Sequence, residues 1–190
     1  MNEERQIVDL YELNNVSKED YQFAIHFSTI SFAVGHLCEL LNDSSVRNPL
    51  FRECKTRNRS AVIQKFIRKH ITTSMNEKDY KFIESVIELK MNGDIRKPPT
   101  KEQKDKLLKQ AKGRCACCNC EVTADNCHID HIIPFSWVGD QLHSNYQPMC
   151  STCNEMKSDD PLFIIKYFAI NGIMVGYLEA LKRLYDELSK

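Results

Sequence analysis

The chain has 190 residues, 26 basic and 26 acidic side chains, a formal net charge of zero and 42% hydrophobic residues. That length holds one large domain, or a small one with a helical companion, and the composition excludes a disordered chain. Zero net charge argues against a simple basic nucleic-acid binder, and the nine cysteines cluster instead of spreading as a secreted disulfide framework would.

Behind Met1 the sequence is polar (Asn2-Glu3-Glu4-Arg5-Gln6), with no cleavable apolar segment, so a reducing, cytoplasmic setting is expected. Ser17-Lys-Glu-Asp20 has the form of a helix start, a hydroxyl cap followed by acids in the first turn. Phe23, Phe27, Ile30, Val34, Leu37 and Leu41 then recur at alternating steps of four and three, one face of a long helix. His26, His36 and Cys38 on or beside it read as packing or surface residues. Asn42-Asp43-Ser44-Ser45 breaks the pattern. Val62, Ile63, Phe66, Ile67 and Ile71 mark a short helix. A third is expected from Asn76, its cap, through Tyr80, Ile83, Val86 and Ile87 to a stop at Gly93. No strand-like alternation precedes residue 120.

Gly93-Asp-Ile-Arg-Lys-Pro98-Pro99 is the best boundary, giving a helical region 1–95 and a second domain 96–190. Thr100-Lys-Glu-Gln103 is a capping-box pattern opening a helix that turns Leu107, Leu108 and Ala111 inward, and Gly113 ends it. Ser158-Asp-Asp-Pro161 starts another helix. The apolar run 161–178 is interrupted by Lys166, Asn171, Gly172 and Gly176, so a pair of buried helices, and no membrane span, is expected. Leu178, Leu181, Leu184, Tyr185 and Leu188 mark a final amphipathic helix. The charge is unevenly spread. Residues 46–70 carry Arg47, Arg52, Lys55, Arg57, Arg59, Lys65, Arg68 and Lys69 against Glu53 alone, and 96–114 form a second basic block. Such blocks read equally as solvated faces or as a one-sided field for phosphates.

Seven cysteines lie between 115 and 153. Two C-x2-C pairs suit a tetrahedral zinc, because that spacing turns two thiolates toward one ion. Cys150/Cys153 is the second pair. For the first, Cys115/Cys118 and Cys117/Cys120 both fit. Cys115/Cys118 is preferred, since Cys115 directly follows the Gly113 stop and begins a tight turn; Cys117, Cys120 and Cys127 are left as packing residues or alternates. The 31 residues between Cys118 and Cys150 must themselves fold. Within them, His128 to Phe135 reads as a short strand, with Ile129, Ile132 and Ile133 packing and Pro134 ending it. Adjacent Asp130 and His131 point to opposite faces of a regular strand unless a bulge or the strand end re-aims one.

The arrangement Cys115-x2-Cys118, Asp130-His131-Ile-Ile-Pro134, Asn145-Tyr-Gln-Pro-x-Cys150-x2-Cys153-Asn154-x2-Lys157 closely resembles the zinc-stabilised HNH endonucleases of the ββα-metal fold. The resemblance implies an α+β chain, mainly helical, with a small zinc-bound ββα unit flanked by helices. It implies His131 as general base, Asp130 and Asn154 as ligands of a catalytic Mg²⁺ or Mn²⁺, and Asn145 as the brace behind the histidine. Asparagine at 154, where the family name implies histidine, makes this an H-N-N form. The chemistry agrees: a histidine titrating near neutrality can take a water's proton, and a hard cation suits carboxylate and amide oxygens. Lys157 and His128 are candidate substrate contacts, with a structural or supporting role favoured for His128. A loop position is the default for His143, and packing for Trp137. The expected function is a DNA endonuclease acting on double-stranded DNA, in a restriction or anti-phage setting, cutting both strands as a homodimer or by two nicks. The alternatives are a non-catalytic zinc-dependent nucleic-acid-binding module and a partner-dependent effector nuclease.

Overall fold

A computed structural model describes residues 17–72, 74–93, 97–142, 144–158, 160, 163 and 175–190. In chain order these form α1 (Lys18–Asn42), α2 (Ser44–Thr56), α3 (Arg59–His70), α4 (Glu77–Met91), α5 (Lys101–Gln110), β1 (Cys127–His131), α6 (Phe135–Val138), β2 (Tyr146–Cys150), α7 (Ser151–Lys157) and α8 (Val175–Leu188). The two strands pair antiparallel, and the class is α+β, as expected. The helix expected after Ser158, most of the apolar run 161–178, and His143 lie outside the described residues.

α1 begins where the cap predicts. The Asp20 amide donates to Ser17 Oγ at 3.0 Å, and that hydroxyl donates to Asp20 Oδ2 at 2.7 Å. Phe27, Ile30, Val34, Leu37 and Leu41 are buried, while Phe23 stays partly exposed. The helix is long and apolar enough to cross a membrane by length and composition, but 56% of its most apolar window is buried inside the protein, as in a core helix. Asp43 then caps α2 by accepting from the Ser45 amide at 2.7 Å. Periodicity gives no sign of α2, because it buries only Leu50 and carries Pro49, which removes one intrahelical donor. α3 buries Val62, Ile63, Phe66 and Ile67. α4 starts on a full capping box: the Asp79 amide donates to Asn76 Oδ1 at 2.9 Å, and the Asn76 amide donates to Asp79 Oδ2 at 3.0 Å. Gly93, at φ 96°, supplies the left-handed stop that a side chain would resist.

The capping box of α5 is likewise present, but the helix buries no residue fully: Leu107, Leu108 and Ala111 are half-exposed. Its row of lysines leaves only a narrow apolar stripe. The strand expected from 128 to 135 runs from Cys127 to His131, and Ile132 and Ile133 are buried just beyond it. Pro134 opens the short helix α6. Trp137 is buried there, as expected.

The chain gathers into two compact units. One draws on Met1–Thr29, Pro99–Ile132 and Tyr146–Leu181, and the other on Ile30–Pro98, Ile133–Asn145 and Lys182–Lys190. Each unit takes segments from several parts of the chain. The second unit buries Ile63, Ile67, Phe82, Ile83, Val86 and Ile87. Asp79, 1% exposed, accepts from the Tyr185 hydroxyl at 2.5 Å, beside the packed rings of Phe82 and Tyr185. Burial and the carboxylate together push the Tyr185 phenol above its usual range, so it remains a donor. This bond serves a buried carboxylate that also caps a helix. Tyr185→Phe is therefore expected to lower unfolding free energy by about 1–3 kcal/mol, measured by urea denaturation with an unchanged m-value.

Candidate metal and phosphodiester site

The site is built in the first unit from one turn, two strands and a helix. After α5, Lys112 (φ 53°) and Gly113 (φ 64°) turn the chain, and the Val122 amide donates to Gly113 O at 2.9 Å, closing a knuckle over 113–122. Inside it the Cys115 amide donates to Cys120 O at 2.9 Å and the Asn119 amide to Cys115 O at 3.0 Å, with Asn119 left-handed at φ 59°. The Ala116 amide donates to Pro148 O at 2.9 Å, which ties the knuckle to β2. Gly176 lies close to the same turn: a Cβ there would sit 3.1 Å from Ala116 O, and the Tyr177 amide donates to that oxygen at 3.0 Å.

This folding brings together the sulfurs of Cys115, Cys118, Cys120 and Cys150, all within 4.8 Å of one another. Cys118 and Cys150 are 3.8 Å apart, close to the roughly 3.8 Å edge of a tetrahedron with metal–sulfur bonds of about 2.3 Å. Two main-chain amides face the sulfurs: Cys150 N is 3.4 Å from Cys115 Sγ, and Cys153 N is 3.5 Å from Cys150 Sγ. Three members are those expected from spacing, and the fourth sulfur in the cluster is Cys120. Cys153 is buried next to them, its thiol interacting with Cys117 and Cys118. The two cysteine registers left open by the sequence thus interleave in space. Burial pushes the Cys115 and Cys118 thiols upward; for Cys117 the bond to Cys153 is the larger cause and burial the second. Thiols in such surroundings stay protonated unless a cation reverses the balance. The cluster is compatible with a structural zinc.

β1 and β2 carry the second constellation. Their register pairs Asp130 with Gln147 and His131 with Tyr146. Gln147 Nε2 donates to Asp130 Oδ2 at 3.2 Å, and Lys157 Nζ lies 3.1 Å from the same oxygen. The His131 and Tyr146 rings are 4.9 Å apart. Each strand residue thus meets the partner that alternation assigns to its own face. His131 is the last residue of β1, where the ladder ceases to dictate orientation. Asn154 and Lys157 are three residues apart on α7, so they share a helix face, and Lys157 shows that this face looks toward Asp130. Lys157 is 3% exposed, and its ammonium is spent on a carboxylate inside the protein. His128 is exposed on β1 and shares the strand face of Asp130, two residues on.

Asn145 is fully buried and spans the loop that begins at Ile133. The Ile133 amide donates to Asn145 Oδ1 at 2.8 Å, and Asn145 Nδ2 donates to Ile133 O at 2.9 Å. A two-way amide bond closes the loop, and its near end lies two residues along the chain from His131. Gln147 was not singled out from the sequence. It is 3% exposed, and its Oε1 is a buried acceptor with no partner among the described residues. The signal available for it was its place one residue after Tyr146 in a run otherwise apolar, a polar residue that the register sets opposite Asp130.

Residues 115–162 match the family described as HNH endonuclease. The match covers about a quarter of the chain, agrees with the motif, and points to nuclease chemistry on nucleic acid for that segment. The comparisons with curated proteins and with solved structures gave no match.

Two outcomes test this geometry. Asn145→Ala is expected to cost about 2–4 kcal/mol by leaving two buried main-chain groups unpaired, read as a lower denaturant midpoint, whereas Asn145→Asp should cost less. Elemental analysis should find about one zinc per chain, and stripping it with a strong chelator should lower the melting temperature. Cys120→Ser and Cys153→Ser, compared for zinc retention, identify the fourth ligand: the variant that loses the metal removes it.

Proposed function

We propose that the HNH unit is a metal-dependent endonuclease that hydrolyses phosphodiester bonds in double-stranded DNA. The observation that carries this reading is the convergence of Gln147 and Lys157 on the Asp130 carboxylate, with His131 next in the chain and Asn154 on the inward face of α7. Asp130 and Asn154 offer carboxylate and amide oxygens, the donor set a hard cation selects, so Mg²⁺ or Mn²⁺ fits these residues. When bound, such an ion neutralises charge on the phosphate and its leaving oxygen. His131 takes the proton of the attacking water, Asn145 keeps the loop after the histidine in one conformation, and Tyr146 packs against the imidazole.

The exposed Lys101, Lys104, Lys106 and Lys109 of α5 suit contacts with the DNA backbone, which would fix register without reading bases. In the basic segment 46–70, Arg57 pairs with Glu53, Arg59 pairs with Glu88, and Arg68 lies over the Tyr80 ring. This segment therefore offers fewer uncompensated charges than its composition suggested. The helical region 1–95 serves binding or specificity. One active centre cuts one strand, so a double-strand break requires a homodimer or two nicks. A restriction or anti-phage role, in the cytoplasm, is the setting this reading favours.

One observation favours a second reading. The Asp130 carboxylate is held inside the protein by Lys157 and Gln147, as a structural carboxylate would be in a zinc-stabilised binding module without catalysis. Plasmid cleavage separates the two. With Mg²⁺ or Mn²⁺ the wild-type protein should convert supercoiled DNA to nicked and linear forms, and chelator should stop it. His131→Ala should lower the rate about a hundredfold or more. DNA binding without cleavage under every metal condition would support the binding module.

A further inference from the structure

The catalytic reading gives Asp130 to a divalent cation, yet a cation already sits on it. Lys157 Nζ is 3.1 Å from Asp130 Oδ2; the lysine side chain is 3% exposed and the aspartate 13%. An exposed lysine leaves its partner for water at little cost, but a buried one must find another acceptor. Lys157 has a weak one in Ser158 O at 3.5 Å. Gln147 is the other polar side chain at that carboxylate. Its Nε2 is 3.2 Å from the same carboxylate oxygen, while its own Oε1 is buried with no donor among the described residues.

We propose that Lys157 competes with the divalent ion for Asp130, so that tight metal binding requires the added negative charge of a bound phosphodiester. This inference rests on the assignment of Asp130 as a metal ligand. An ammonium and a divalent ion on one carboxylate repel each other across a few ångströms of protein, and burial keeps water from screening them. A phosphate oxygen entering the site restores the charge balance. The ammonium then gives up the Asp130 oxygen to the metal. Metal loading and substrate binding are thereby coupled, and the protein holds little catalytic metal away from DNA.

The test measures Mn²⁺ binding by electron paramagnetic resonance on the full zinc-loaded chain, with and without a non-cleavable phosphorothioate duplex. Without DNA, Lys157→Met should bind Mn²⁺ at least about tenfold more tightly than wild type, and Asp130→Asn should abolish binding in both backgrounds. The duplex should raise the affinity of wild type far more than that of Lys157→Met. A merely structural lysine would not give this result, since loosening a site does not tighten its metal. Equal or weaker binding by Lys157→Met, with binding still dependent on Asp130, overturns the competition and leaves the metal site standing. Mn²⁺ binding that ignores Asp130→Asn overturns the metal assignment and the competition with it. If Lys157→Met does not hold its fold by circular dichroism, the ¹⁵Nζ resonance of Lys157 in wild type decides. A shift on adding Mg²⁺ and duplex supports displacement, and an unmoved resonance overturns it.

Discussion

The unit that resembles HNH endonucleases depends on sulfurs held together against their own desolvation. Its sheet has two strands, Cys127–His131 and Tyr146–Cys150, too little to bury a core unaided. The knuckle at 113–122 supplies the missing constraint by bonding to Pro148 and presenting three sulfurs to Cys150 at the end of β2. Cys150 also caps α7, so one residue joins the thiol cluster, the strand and the helix that carries Asn154 and Lys157. A zinc, with which the cluster is compatible, would fix the start of α7 and the face that α7 turns to Asp130.

The polar arrangement around Asp130 follows from this scaffold. A carboxylate 13% exposed needs partners, and the register of β1 with β2 supplies Gln147 from the same face while α7 supplies Lys157. Asn145 solves a different problem, the main-chain groups of a buried loop, by bonding Ile133 in both directions. His131 stands between these two arrangements in the chain, one residue from the first and two from the second.

Much was legible in the sequence. The caps at Ser17, Asn76 and Thr100, the glycine stops at 93 and 113, and the helices of strong apolar period are found where expected. These signals are local, set by main-chain hydrogen bonds within a few residues. α2 was not legible, because it buries one residue and carries a proline. The half-exposed α5 overstated its inward face for the opposite reason, since leucines in a lysine-rich helix look core-facing whatever lies opposite.

Sequence alone determined the chemistry present: paired cysteines, an Asp-His step, and asparagines at the spacing of the HNH family. It could not determine which sulfurs meet, since Cys115 through Cys120 offer overlapping pairs and only the path of the turn brings Cys118 and Cys120 toward Cys150. Nor could it place Lys157 on Asp130, or leave Gln147 Oε1 buried without a partner among the described residues. Those are contacts between segments 17 and 27 residues apart. They depend on strand register and on the angle at which α7 leaves β2, quantities that no local pattern encodes.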